Sequence, residues 1–296
     1  ECNMHLRWNP KLYKEIWNYV GWNSIGTFAF MANNQGITIL LNMFFSTVVN
    51  AARGIATTVS SQVSGFVMNF QVAAGPQIYK LYAKGEYQQM NRLVCNTAKY
   101  SSYLLILIGL PVFIKTEILI KLWLGNIPEY VIPFIRITLI ELFFKAIDFP
   151  IGNGIHAFGK MKLPNITSSI AYISVLPLTY ICLRWGASPV VAYVMACVSY
   201  PLAMTCDLWI LNKFSGFDIK SYLFHVPLKS ILIILLSAIL PVWVSNSFED
   251  GWLNLILTSV VCAIVSATFV FYIGLDAEMR EKVLRKVKNK LSLAFN

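Results

Sequence analysis

A polar stripe runs along the apolar stretch VVNAARGIATTVSSQVSGFVMNFQVAAGPQIYK at residues 48–80. At 100° per residue its members fall within about 80° of one another on an α-helix. They are Asn50, Arg53, Thr57, Ser61, Ser64 and Gln71. An arginine at mid-membrane costs about 2.5–3.5 kcal/mol on insertion scales, so it normally faces water, an anion or a protein partner. The stripe therefore predicts a water-filled pathway lined by this helix.

Simpler explanations of these residues stay open. Thr57, Ser61 and Ser64 are also the small residues that let membrane helices pack closely. Arg53 could extend its long side chain to the aqueous interface. The nearby NNQG at 33–36, with Asn34 and Gln35 as candidate cavity residues, is expected to break the preceding helix and expose backbone groups. A kink without a ligand would explain the same residues.

A second polar cluster lies in LIELFFKAIDFPIG at 139–152. The spacing of four and then three places Glu141, Lys145 and Asp148 on one helix face. Their opposite charges would lower each other's cost of insertion. We expect these residues to couple transport to an ion gradient, with Glu141 as the proton carrier and Asp148 holding Lys145. A self-neutralising structural triplet is the alternative.

Other motifs that carry chemistry are missing from the sequence. The three histidines are far apart, and the six cysteines form no CxxC pair, so neither a metal site nor a catalytic residue is predicted. No phosphate-binding loop of the Walker A or GxGxxG type occurs. The chain is therefore predicted not to be an enzyme and to need no cofactor.

Composition indicates the elements that must position these residues. Hydrophobic residues make up 57% of the 296 residues, charged residues 13%, and the mean hydropathy is +0.61. Soluble domains have about 25% charged residues, so an all-α integral membrane protein is predicted. A span needs about 20 apolar residues, and eight are predicted. They lie near 21–45, 48–78, 97–115, 130–155, 164–184, 188–211, 227–246 and 252–274.

Basic residues are concentrated in alternate connections, which places both ends of the chain on the cytoplasmic side. The formal charge of +10 is then a consequence of topology, and no nucleic-acid partner is predicted. The acidic connection around Glu249 and Asp250 would lie outside. The predicted organisation is an interfacial lead-in (1–20), a six-helix lobe (21–213), two additional helices (214–275) and a basic amphipathic tail (276–296).

Three segments carry a resemblance to a known family. QGITILLNMFF at 35–45, VVNAARGIA at 48–56 and FVMNFQVAAGPQIYKLYAKGE at 66–86 resemble the polysaccharide and O-antigen flippases. These belong to the multidrug/oligosaccharidyl-lipid/polysaccharide exporter superfamily. The similarity is specific over residues 34–86, and beyond them only the order of spans and loops agrees. It implies two six-helix lobes around a central cavity, of which this chain would supply the second plus two further helices.

The resemblance also implies a function. Such proteins flip lipid-diphosphate-linked oligosaccharides, the precursors of surface polysaccharides including that of lipopolysaccharide, across the bacterial inner membrane by alternating access. Arg53 matches the arginine of the family's NAARG segment, which implies a place in the cavity. The implied partners are the lipid-linked oligosaccharide, membrane lipids and a first lobe, which we expect to precede Glu1. Arginine suits the diphosphate, and Ser, Thr, Asn and Gln suit the sugar hydroxyls.

Two other classes of membrane protein remain as alternatives. Multidrug and toxin extrusion transporters share the implied architecture, but they carry cationic drugs, for which an acidic cavity is expected. Membrane glycosyltransferases and O-antigen polymerases usually carry a large outer loop or outer acidic residues. The outer connections predicted here are short, and Arg53 is cationic, so both patterns favour the flippase.

Overall fold

The chain is all-helical in the computed structural model, which describes residues 9–248, 251–282 and 284–285. No strand occurs among these residues, so the predicted fold class is confirmed at the level of an all-α protein. The first five helices are α1 (Pro10–Phe44), α2 (Thr47–Ala83), α3 (Tyr87–Ile114), α4 (Thr116–Leu124) and α5 (Val131–Ala157). The next five are α6 (Lys162–Arg184), α7 (Val190–Ser215), α8 (Ile219–Leu223), α9 (Lys229–Ser247) and α10 (Trp252–Phe269). Short π-helical segments, Phe224–Leu228 and Val270–Gly274, follow α8 and α10.

Local sequence signals explain where helices begin and end. The side chain of Asn9 caps α1 by accepting hydrogen bonds from the backbone N–H groups of Lys11 and Leu12, and Pro10 occupies the first helical position. Helix α7 ends at Ser215 and is capped by Gly216, whose φ of 67° is a left-handed conformation that glycine adopts without steric cost. Its N–H donates to the carbonyl of Asn212 at 2.8 Å.

The first helix differs from the prediction. The break expected at NNQG does not occur, because α1 runs without interruption for 35 residues. Residues 10–20 form its first turns instead of a separate lead-in helix, and residues 1–8 lie outside the described part of the chain. Gly36 serves packing: a Cβ atom there would lie 2.6 Å from Cδ2 of Leu176 in α6. At 1.5 Å per residue α1 is about 52 Å long, more than the bilayer's hydrocarbon core of about 30 Å.

Within the part of the chain that the structure describes, five helical segments are long and apolar enough to cross a membrane, as expected for a membrane protein. They are Tyr87–Ile114, Lys162–Arg184, Val190–Ser215, Ile219–Ser247 and Trp252–Gly274. Each overlaps one of the predicted spans. The other three predicted spans fall in α1, α2 and α5, which are less apolar or carry more charged residues than these five segments. These are the helices that carry the polar clusters, and α5 holds four charged side chains, those of Arg136, Glu141, Lys145 and Asp148.

The helices pack around α5. It contacts α2, α3 and α7, while α1 packs along α6, and α6 along α7. Large side chains of α5 such as Phe134, Ile147 and Ile151 are fully buried in this contact. The pair α9 and α10 packs against α3, where the buried hydroxyl oxygens of Ser102 and Ser230 lie 2.7 Å apart.

One end of the bundle gathers several termini and many basic residues. Asn91 at the start of α3 donates to the carbonyl of Ser215 at the end of α7, at 3.0 Å. Lys99 of α3 forms an ion pair with Asp276, just after α10, with 2.6 Å between Nζ and Oδ2. We call this the basic end; its lysines and arginines include Lys80, Lys84, Arg92, Lys160, Lys162 and Lys213. Glu249, Asp250 and most of the predicted tail at 276–296 lie outside the described residues.

Candidate functional site

A cavity of about 120 Å³ lies between α1, α2, α5 and α7. Its wall combines charged and amide side chains with hydroxyl groups. The charged and amide residues are Asn33, Asn34, Arg53, Glu141 and Lys145. The hydroxyl residues are Thr57, Ser60, Thr138, Tyr193 and Tyr200. Members of the two clusters that the sequence analysis treated separately, Arg53 and Thr57 of α2 and Glu141 and Lys145 of α5, therefore share one cavity.

Arg53 is held at this cavity by two neighbouring helices. Its Nη2 donates to the backbone carbonyl oxygen of Asn34 in α1 at 3.0 Å. Its guanidinium carbon lies 5.8 Å from the centre of the Tyr193 ring of α7, within the range of a cation–π contact. The Arg53 side chain is half-buried, so it does not extend into open solvent. Among the described residues it forms no ion pair with a carboxylate.

The charged cluster on α5 is only partly as predicted. Lys145 Nζ lies 2.6 Å from Oε1 of Glu141, one helical turn earlier, and 4.7 Å from the centre of the Tyr200 ring. Asp148 was expected to hold Lys145, but within the described residues the lysine pairs with Glu141 instead. A glutamate four residues before a lysine is the favourable orientation of an i,i+4 pair, and its longer side chain reaches the ammonium group easily.

Two tyrosines that the sequence analysis missed complete the wall. Tyr193 stacks on Phe134 of α5 with 4.1 Å between ring centres. Tyr200 packs edge-on against Tyr172 of α6 at 5.7 Å. The tyrosines are seven residues apart on α7 and so lie on one helix face, and Ala196, one turn from each, leaves room for the cavity. That spacing was the available signal, but the residues around it in α7 are mostly apolar on every side and gave no reason to prefer this face.

The predicted stripe on α2 divides into three groups. Arg53 and Thr57 line the cavity. Ser61 is exposed and Ser64 half-buried, and their hydroxyls donate to carbonyls of their own helix at 2.8 and 3.1 Å. Gln71 is buried and donates to the carbonyl of Ala146 in α5 at 2.7 Å, so it joins two helices and does not line the cavity.

The candidate asparagine and glutamine residues on and near α1 also lie in different environments. Asn50 donates weakly to the carbonyl of Thr38 at 3.5 Å, linking α2 to α1. Asn34 lines the cavity, and its carbonyl receives Arg53, whereas Gln35 is exposed on α1 away from it. Asn33, the first residue of the NNQG segment, is buried at the cavity, and its Oδ1 has no hydrogen-bond partner among the described residues.

These contacts determine what the cavity can bind. Two cations and one carboxylate give it a net positive charge, which favours an anion. The hydroxyls of Thr57, Ser60 and Thr138 donate to backbone carbonyls of their own helices, so their lone pairs remain free to accept from ligand hydroxyls. No group of histidine, cysteine, aspartate and glutamate residues with metal-binding geometry occurs in the described residues.

Two further carboxylates lie outside the cavity. One of them, Asp148, was predicted only as a partner of Lys145, and the other, Asp207, was not predicted. Asp148 of α5 and Asp207 of α7 each have a buried Oδ1 without a hydrogen-bond partner in the described part of the chain. They are near enough to interact electrostatically. Asp207 was not singled out from the sequence, because one aspartate four residues before the end of the predicted span at 188–211 is consistent with a position at the membrane interface.

Comparisons with family models, curated proteins and solved structures find no match to this chain.

Proposed function

We propose that this chain is part of a transporter that flips lipid-diphosphate-linked oligosaccharides across the bacterial inner membrane by alternating access. The observation that carries the proposal is the cavity in which Arg53 and Lys145, from two different helices, face the same small volume. A diphosphate is the part of such a substrate that needs cations in a membrane, because an unpaired anion there is strongly disfavoured. Arginine and lysine supply charge-assisted hydrogen bonds to it.

The size of the cavity assigns it to one part of the substrate. A volume of about 120 Å³ suits a compact anionic group and is far too small for an oligosaccharide. The sugars would lie along the exposed part of the polar stripe, at Ser61 and its neighbours on α2. Serine and threonine oxygens there can accept hydrogen bonds from sugar hydroxyls.

An exposed polar face of α2, beside and including part of the stripe, also supports an opposing lobe. Thr57, Thr58, Ser61 and Gln62 form a polar surface on α2 that no other described helix covers. A polar helix face directed at lipid would be unfavourable, so a second protein wall enclosing a water-filled cavity is the better account. We therefore propose that a first six-helix lobe faces this one.

The membrane arrangement that goes with this function has eight spans. α1, α2 and α5 cross the bilayer as well as the five more apolar segments, since polar helices are tolerated where they line a cavity. Six of the helices (α1, α2, α3, α5, α6 and α7) would form the lobe, with α9 and α10 outside it. The basic end would be cytoplasmic, because cytoplasmic connections of membrane proteins carry an excess of lysine and arginine.

Cysteine labelling tests this orientation. In a cysteine-free background, Lys84→Cys at the basic end and Ser188→Cys at the opposite end are both exposed positions in connections. A membrane-impermeant thiol reagent applied to intact inner-membrane vesicles of known orientation should label only one of them. Labelling of both variants from the same side would contradict the arrangement.

The cavity's charge separates this function from cationic-drug efflux. With two cations and one carboxylate, the described wall would repel a cationic dye and attract a diphosphate. Purified protein should therefore bind a lipid-diphosphate oligosaccharide and not a cationic dye, as measured by equilibrium binding in detergent or nanodiscs. Binding of the dye with no binding of the glycan would refute the proposal and favour drug efflux.

A further inference from the structure

A second, larger concavity lies at the basic end, between the first turns of α1 and the connection from α5 to α6. Its volume is about 860 Å³. We call it the lysine groove and define it by Leu12, Ile16, Trp22, Lys160, Lys162 and Leu163, which line it. It shares no residue with the cavity around Arg53.

The two lysines of the groove are arranged over aromatic rings. Lys160 Nζ lies 4.9 Å from the ring centre of Phe214, and Lys162 Nζ lies 5.4 Å from that of Trp22. Neither lysine forms an ion pair within the described residues. The carboxylate of Glu15 also lines the groove, so two lysines and one glutamate give the groove a net positive charge. The ammonium groups of Lys160 and Lys162 are therefore available to an external anion.

Most of the other residues that line the groove are apolar. Leu12 and Ile16 lie one turn apart on α1, and together with Leu163 of α6 they are exposed. Tyr19, which also lines the groove, has its Oη 3.1 Å from Nδ1 of His156, and this hydrogen bond ties α1 to α5. Tyrosine and tryptophan are the residues that membrane proteins place at the depth of lipid headgroups. The groove therefore combines cations, interfacial aromatics and an apolar strip.

We propose that the lysine groove binds one anionic glycerophospholipid from the leaflet at the basic end. The lipid phosphate would lie between the ammonium groups of Lys160 and Lys162, and an acyl chain would lie along Leu12, Ile16 and Leu163. Basic pockets between membrane helices bind anionic headgroups in this way. A zwitterionic lipid carries its own cation, which competes with the lysines for the phosphate. The inference requires a membrane location but not the transport function.

Lipid titration of the purified full chain tests this site. Native mass spectrometry would count phosphatidylglycerol and phosphatidylcholine bound at increasing lipid concentration. The wild-type protein should bind phosphatidylglycerol more tightly, and the double variant Lys160→Gln/Lys162→Gln should bind it about 30-fold more weakly, about fivefold for each lysine near the anion. The double variant Lys160→Arg/Lys162→Arg keeps both charges and should retain binding.

A matched control separates this site from general attraction to a basic surface. Lys80→Gln/Lys84→Gln removes two exposed lysines at the same end but outside the groove, and it should leave the affinity for phosphatidylglycerol nearly unchanged. Equal loss in both double variants would overturn the proposal. So would equal affinity of the wild-type protein for the two lipids.

A second measurement needs no variant. A photoactivatable phosphatidylglycerol added to the wild-type protein should cross-link to peptides covering residues 12–22 and 158–163. Cross-links confined to other parts of the chain would overturn the proposal even if the lysine variants did not fold.

Discussion

Arg53 of α2 and Asn34 of α1 are joined by a hydrogen bond of 3.0 Å from Nη2 to the backbone carbonyl oxygen. The same carbonyl also accepts from the hydroxyl of Thr38 at 3.1 Å. Because a guanidinium has five N–H donors, this bond orients the group and leaves most of its donors for other partners. Arg53 is thus fixed in position while remaining able to bind an anion in the cavity.

Replacing Arg53 should abolish transport without unfolding the protein. Arg53→Ala removes the guanidinium group from the cavity and with it the hydrogen bond to the carbonyl of Asn34. A hydrogen bond from a charged donor contributes about 1.5–3 kcal/mol to the free energy of unfolding. Arg53→Lys keeps the charge but not the planar fork, so it should restore export only in part. Export of surface polysaccharide by cells and helical content of the purified protein are the two readouts.

Arg184→Ala is the matched control, since Arg184 is exposed at the far end of α6. It should export normally. If Arg53→Ala also exports normally, the arginine only reaches the interface and the cavity is not a substrate site.

Glu141→Gln tests ion coupling at the cavity. The variant removes the carboxylate that lies 2.6 Å from Lys145 while keeping its size. If protonation of Glu141 releases Lys145 during each cycle, transport by the variant should no longer depend on a pH gradient. The measurement is glycan flipping in proteoliposomes with and without an imposed gradient, with exposed Glu117→Gln as the control.

The opposite result would assign Glu141 to structure. In that case Glu141→Gln would accumulate poorly, because Lys145 loses its partner, while the folded fraction would still respond to the gradient. Breaking a buried pair by removing one partner typically costs about 3–5 kcal/mol, and less here because Lys145 is about one-third exposed.

The sequence predicted the parts of this site that depend on periodicity within one helix. Arg53 and Thr57 on α2, and Glu141 and Lys145 on α5, were found because 100° per residue determines which side chains share a face. The same reasoning misplaced Gln71, because a polar residue on the stripe can equally bond to a neighbouring helix. Its carbonyl partner, Ala146, is 75 residues away in the chain.

Features that depend on packing between helices could not be read from the sequence. Tyr193 and Tyr200 face the cavity because α7 presents that side to α5, and nothing in an apolar helix specifies the side. The NNQG segment resembles a helix break because Asn and Gly have low helix propensity. In the bundle, the amide of Asn34 donates to the carbonyl of Phe30 at 3.2 Å, and Gly36 accommodates Leu176, so the helix continues.

Gly36→Ala should loosen the contact between α1 and α6. A Cβ there would lie 2.6 and 2.8 Å from the methyl carbons of Leu176, so the leucine must shift, and overpacking of this kind costs about 1–3 kcal/mol. Gly21→Ala in the same helix meets nothing within 4 Å and should stabilise by about 0.4–1 kcal/mol. Thermal unfolding of the two variants in detergent should therefore shift in opposite directions; equal shifts would contradict the described packing.

The ion pair between Lys99 and Asp276 should make the attachment of the segment after α10 sensitive to acid. The hydrogen bond from Lys99 holds the pKa of Asp276 below its ordinary value of 3.8. Because the pKa is lower in the folded state, the pair's stabilisation is complete above pH 3.8 and is lost as the pH falls through the depressed value. Asp276→Asn should thus be less stable than wild type at neutral pH and equal to it in strong acid.

Unfolding curves across this pH range check that expectation. Glu278→Gln serves as control, because Glu278 pairs with Lys282 on an exposed surface where ion pairs contribute little. A constant difference between wild type and Asp276→Asn at all pH values would show that the aspartate acts through packing and not through its charge.

Asp148→Asn and Asp207→Asn should each stabilise the folded protein. Both aspartates have a buried carboxyl oxygen without a hydrogen-bond partner among the described residues, and only 8% of Asp207 is exposed. A buried carboxylate without a partner costs several kcal/mol when charged. Asparagine has the same shape and no charge, so each variant should gain at least about 1 kcal/mol, measured by thermal unfolding in detergent. Asp218→Ala is the control that should lose stability, since the Asp218 side chain caps α8 by accepting from the N–H of Ser221 at 3.0 Å and alanine removes that acceptor. If Asp148→Asn or Asp207→Asn instead destabilises the protein as Asp218→Ala does, the carboxylate is a required hydrogen-bond acceptor or cation ligand of the folded state, and the prediction is wrong.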